Sequence, residues 1–94
     1  MEFLVRVEQN IAPDADPELM SAVKAKEFER ATELVDAGIL TRVWRIPGRR
    51  ALYCLYEADG PDELHAAISS LPLFPWLDVE VTPLAGHRLD PGIS

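Results

Sequence analysis

One long helix is the feature that most limits the folds open to this chain of 94 residues. Asp16-Pro17 supplies an N-cap side chain followed by proline at the first helical position, and Gly38 supplies a left-handed residue that stops a helix. The segment between them, roughly 21 residues, spans about 31 Å. Whatever else the chain forms must cover the apolar side of that rod.

The remaining patterns are short. Phe3, Val5 and Val7 alternate with Glu2, Arg6 and Glu8, the period-2 signal of a half-buried first strand, with Leu4 as an apolar residue on its second face. Ile39 to Ile46 reads as a second strand and Ala51 to Glu57 as a third, joined by Pro47-Gly48 in the two central positions of a type II turn. Gly60-Pro61-Asp62-Glu63 opens a second helix with acids in its first turn and Leu64, Ile68 and Leu71 on its buried side. Pro72 ends that helix. Pro72 and Pro75 fix the corner after it, each locking φ and removing a donor. Leu77, Val79 and Val81 alternate with Asp78, Glu80 and Thr82 as a fourth strand that Pro83 is expected to close.

The order β-α-β-β-α-β predicts an α+β, ferredoxin-like domain over residues 1–83, with two helices on one face of a four-stranded antiparallel sheet, and a tail over 84–94. The far sheet face would carry Leu4 and apolar residues of the central hairpin. Pairing with a second sheet, as a dimeric α/β barrel, would cover it. A chain this short buries only somewhat over ~60% of its unfolded surface, so burial in a homo-oligomer, at least a dimer, is expected.

Within the long helix one residue is out of place. With Glu27 at zero on a helical wheel, Met20 and Leu34 fall within roughly 20° and Val23 and Ala31 within about 40°, so a carboxylate points into the apolar arc. Lys24, at about 60°, brings a base to the same face. One reading is an exposed ion pair on a slightly rolled helix. The other is a carboxylate whose pKa is raised by desolvation and restrained by a nearby ammonium, suited to general-base work near neutral pH. On that reading Glu27 and Lys24 are the candidate catalytic pair.

Charge and composition exclude several classes. Sixteen acids against nine bases give a formal charge of −7, and no basic run is longer than Arg49-Arg50, so nucleic-acid binding is not expected. No apolar run approaches the ~20 residues of a membrane span, and the acidic Met1-Glu2 start lacks the basic region of a signal peptide, so a cytoplasmic protein is expected. Cys54, the single cysteine, reads as a small buried hydrophobe rather than a nucleophile, and His65 and His87 lack the spacing of a metal pair. No metal is expected.

At Leu71-Pro72-Leu73-Phe74-Pro75-Trp76-Leu77-Asp78-Val79-Glu80-Val81 the chain resembles the muconolactone Δ-isomerase family, whose hallmark is a Leu-Pro-Leu-Phe-Pro-aromatic-x-Asp-x-Glu-Val run. Phe3, Val5, Asp14, Asp16-Pro17, Lys24, Glu27, Gly38, Trp44-Arg45-Ile46, Gly48, Ala51 and Leu64-His65 also resemble family positions, at unbroken spacing to about residue 84. The resemblance implies a small cofactor-free enzyme of aromatic catabolism in the 3-oxoadipate branch, a family that includes chloromuconolactone dehalogenases. It implies subunits that pair and assemble further, commonly as decamers, and a reaction in which one base moves a proton between two ring carbons of a lactone. Glu27 would be the proton shuttle. Lys24 would hold the lactone oxygen or the substrate carboxylate, and Arg45, with its fixed fork, is a second candidate for that carboxylate.

Departures from the family pattern bear on the substrate. Where the family tends to show Gly-x-Tyr-Ala-Asn-x-Ser-x-Phe-Asp, this chain has Gly48-Arg49-Arg50-Ala51-Leu52-Tyr53-Cys54-Leu55-Tyr56-Glu57. Leu52 and Cys54 thus stand in place of two hydrogen-bonding side chains, which implies a drier pocket for a larger or less oxygenated molecule. Arg49 and Arg50 are expected to serve solvation. Trp44 would stack on a planar substrate or anchor core or interface, as would Trp76, and His65 would orient substrate or merely cap packing. The tail from Leu84 would cross to a neighbouring subunit's pocket. A cyclase, dehalogenase or cofactor-free oxygenase on the same scaffold is the alternative enzyme, and a catalytically silent binding subunit the alternative class.

Overall fold

In the computed structural model, which describes residues 1–92, the chain runs β1 (Glu2–Gln9), α1 (Pro17–Asp36), β2 (Leu40–Arg45), β3 (Ala51–Glu57), α2 (Pro61–Ser69), a 3-10 turn (Phe74–Trp76) and β4 (Leu77–Leu84). The strands form one antiparallel sheet in the order β2-β3-β1-β4. This is the ferredoxin-like arrangement the pattern order predicts.

The local signals act as their chemistry dictates. The Asp16 carboxylate accepts the Glu18 N–H at 3.0 Å at the start of α1, and Gly38 takes φ +74 beyond its end. Gly48 takes φ +79 in the β2–β3 turn, where the Arg49 N–H reaches the Ile46 carbonyl at 3.3 Å.

Two strand features differ from the sequence expectation. β4 continues through Pro83, paired with Phe3, to Leu84. It lies at the sheet edge, where a missing N–H costs no ladder bond. β2 carries a bulge: Leu40 pairs with Tyr56 and Arg42 with Leu55, so Thr41 is an extra residue, its hydroxyl donating to the Leu55 carbonyl at 3.0 Å. The bulge reverses the phase of everything after it. Val43 and Arg45 turn to the helix side, and Arg42 and Trp44 to the opposite face.

The core lies between sheet and helices. Phe3, Val5, Leu34, Leu40, Cys54, Tyr56, Leu64, Ala67, Ile68 and Leu71 form one buried cluster. Among the described residues no layer covers the far face: Trp44 and Tyr53, cross-strand partners, are 41% and 39% exposed, and the Arg42 guanidinium stacks 4.8 Å from the centre of the Trp44 ring. No helix among the described residues is long and apolar enough to cross a membrane. Residues 85–92 are exposed, and the end of the expected tail, 93–94, lies outside the described residues.

Candidate active site

Between α1 and the helix-side face of β2 and β3 lies an open cavity of about 530 Å³. Its walls follow from periodicity. Residues 24, 27, 28 and 31 repeat along one side of α1, while Leu52, Cys54 and Tyr56 are alternate residues of β3, all facing the helices. Leu40, Val43 and Arg45 face the same way because of the bulge, and Leu71 and Leu73 close the inner end.

Glu27 is half-buried in this cavity, and its Oε1 accepts the Leu73 backbone N–H at 2.9 Å. Leu73 follows Pro72 in the tight corner after α2 and is itself buried, so its N–H needs an acceptor that the local backbone does not provide. Burial pushes the Glu27 carboxyl above the ordinary carboxylate range, and the Leu73 hydrogen bond partly offsets that rise. The expected ammonium restraint takes a different form: Lys24 is exposed at the cavity mouth, and the polar partner of Glu27 is a backbone amide.

The cavity is polarised. Lys24, Arg45, Arg49 and Arg50 line it and are all exposed, whereas Cys54, Tyr56, Leu40, Leu71 and Leu73 line it and are buried. Four of the nine basic residues of an acidic chain therefore surround one opening above an apolar floor. Arg49 does more than solvate the hairpin: its Nε and Nη2 donate to Glu8 Oε1 at 2.9 and 2.7 Å, and this guanidinium is the main reason the Glu8 carboxyl is held below its usual range. On the floor, burial pushes the Cys54 thiol up to about 11, which leaves it a neutral packing group at physiological pH.

The structure thus brings together Lys24, Glu27, Arg45, Leu52 and Cys54 from the sequence candidates. Trp44 and His65 lie elsewhere. The bulge sends Trp44 to the far face, and His65 packs edge-on against Phe74, ring centres 6.2 Å apart, beside a separate apolar cleft lined by Phe3, Leu64 and Ile68. Tyr56 and Phe28 join the site without having been singled out, and Arg49 and Arg50, expected to serve solvation, line it as well. Alternation along β3 was the available signal for Tyr56, which shares a face with Leu52 and Cys54. Among the described residues no group of three or more His, Cys, Asp or Glu side chains is placed to hold a metal ion.

Fold and cavity together define a class: small ferredoxin-like α+β domains with a desolvated carboxylate in an apolar, cation-rimmed pocket. The chain belongs to the muconolactone delta-isomerase family, whose family model matches residues 1–90. It is 37% identical over 87 residues to the muconolactone delta-isomerase of Cupriavidus pinatubonensis, covering 93% of this chain and 95% of that protein. It is 35% identical over 88 residues to the Rhodococcus opacus muconolactone delta-isomerase, covering 94% and 95%. Its fold superposes on the crystal structure of a muconolactone isomerase with a TM-score of 0.92 at 33% identity, covering 100% of this chain and 98% of that one.

Proposed function

We propose that this protein is an isomerase that moves the ring double bond of an unsaturated lactone, muconolactone or a close relative, with Glu27 as the proton shuttle. One observation carries the reading: a carboxylate with a raised pKa and a single amide hydrogen bond faces a cavity with a dry floor and a cationic mouth. Such a carboxylate is a stronger base than one in water.

The chemistry follows from that polarity. The Glu27 carboxylate takes the proton from the ring carbon bearing the side arm, and the C–H electron pair spreads through the conjugated system to the carbonyl oxygen. The resulting dienolate takes the same proton back at the carbon beside the carbonyl, so the double bond has moved and nothing else is consumed. Arg45 and Lys24, exposed at the mouth, hold the carboxylate of the side arm, which orients the ring toward Glu27. Leu52 and Cys54 favour a ring with an apolar substituent over a more oxygenated one.

We further propose that a second copy of the chain covers the far sheet face, in a homo-oligomer built from dimers. The exposed Trp44–Tyr53 pair supports this, because an uncovered aromatic patch on a chain with so small a core is costly. The exposed tail is proposed to reach a neighbour's pocket, and removing residues 87–94 should then lower activity.

The deciding experiment is turnover of muconolactone and its chloro analogues, with products identified by NMR, by the wild-type protein and by Glu27→Gln. Isomerisation by the former and loss of it in the latter support the reading. Lactone cyclisation, dehalogenation or no lactone binding would replace it.

A further inference from the structure

The dienolate of the proposed reaction develops negative charge on the lactone oxygen, and that oxygen lies at the opposite end of the ring system from the carboxylate arm. With the arm held at the cationic mouth, the oxygen is directed to the buried floor. The floor is lined by Leu40, Cys54, Leu71, Leu73 and Tyr56. Four of these are apolar or, in Cys54, a weak donor. Among the described residues Tyr56 is the single hydroxyl-bearing side chain that lines the cavity.

Three observations bear on that hydroxyl. The Tyr56 ring is fixed in the centre of the sheet between Phe3 and Leu40, at 2% exposure, so its position is set by packing. Among the described residues every closed-off side-chain polar atom has a hydrogen-bond partner and the Tyr56 hydroxyl makes none, so that oxygen meets accessible space, and Tyr56 is one of the residues that line the cavity. Burial, then Cys54, then the Glu27 charge push its ionisation far above the physiological range, which keeps the O–H a donor.

Resting on the isomerase reading, we propose that the Tyr56 hydroxyl donates a hydrogen bond to the lactone carbonyl oxygen and stabilises the dienolate formed when Glu27 removes the ring proton. Tyr56 keeps its own proton throughout. The bond strengthens as charge moves onto the oxygen, in a floor from which water is excluded, which is where a fixed donor contributes most to rate. Tyr56 is then a catalytic residue of this chain, and it restores on β3 a polar contact that Leu52 and Cys54 do not provide.

The test is Tyr56→Phe, which keeps the ring, its volume and its packing. Turnover of muconolactone should fall on the order of 10²-fold in kcat with KM little changed and the melting temperature preserved. The tetronate anion, an enolised lactone, should bind roughly 10- to 100-fold more weakly to the variant, the loss expected for one hydrogen bond to a charged acceptor, while neutral 2(5H)-furanone binds about equally to both. Wild-type kcat and tetronate affinity in the variant would overturn the assignment and leave the isomerase reading standing. A wild-type protein that isomerises no lactone would remove that reading instead, whatever the tetronate result.

Discussion

The Glu27 carboxylate accepts the backbone N–H of Leu73 across 2.9 Å, tying the middle of α1 to the corner that follows α2. The same carboxylate that would take a proton from substrate also satisfies a buried amide. Structural and chemical demands therefore meet in one side chain, and the two are separable by experiment.

Glu27→Gln retains an oxygen for the Leu73 N–H and loses the base. Activity should fall ~10²-fold or more while the fold persists, checked by lactone turnover and circular dichroism.

The same variant should have an altered stability profile. Because burial raises the folded-state pKa of Glu27, the folded protein binds that proton more tightly than the unfolded chain does. The wild-type stability contribution is fully present below the unfolded carboxylate pKa and is lost as pH rises through the higher folded value. Glu27→Gln should therefore melt at a higher temperature than wild type at pH 7, and the gap should close below the ordinary carboxylate range. The acidic limb of the wild-type activity profile should lie above that range as well.

Arg45→Ala removes a cavity-mouth guanidinium without touching the floor. For a lactone bearing a carboxylate arm, KM should rise roughly 10- to 100-fold, the worth of a charge-assisted hydrogen bond, with a smaller change in kcat. A lactone without the arm should bind alike to both proteins.

Cys54 is 5% exposed and its thiol is pushed up to about 11 by burial. Iodoacetamide at pH 7.5 should leave the native protein unlabelled by mass spectrometry and label it fully after denaturation.

Tyr53→Glu places a charge on the far sheet face beside Trp44, away from the cavity. The variant should sediment as a smaller species than wild type, the outcome expected if that face is shared between copies.

Much of this architecture was legible because its signals are local. The Asp16 cap, Pro17, Gly38 and the Pro47-Gly48 turn each act within a few residues, and the alternation of β1 and β3 fixes their buried sides. Glu27 was legible because helical period alone places it in an apolar arc. What escaped depends on chain pairing. The Glu27–Leu73 and Arg49–Glu8 partnerships join residues 46 and 41 positions apart, and nothing in either neighbourhood names the partner. The place of Trp44 escaped for the same reason, since Thr41 becomes a bulge only when β2 meets β3.

That bulge makes the identity of each surface a matter of parity. Were Thr41 drawn into the ladder as a regular residue opposite Leu55, Arg42 and Trp44 would face the cavity and Val43 and Arg45 would leave it, although no amino acid had changed; deleting Thr41 would keep all four where they are. Divergence by substitution can thus tune either surface independently, whereas a change that closes the bulge without removing a residue would exchange them outright.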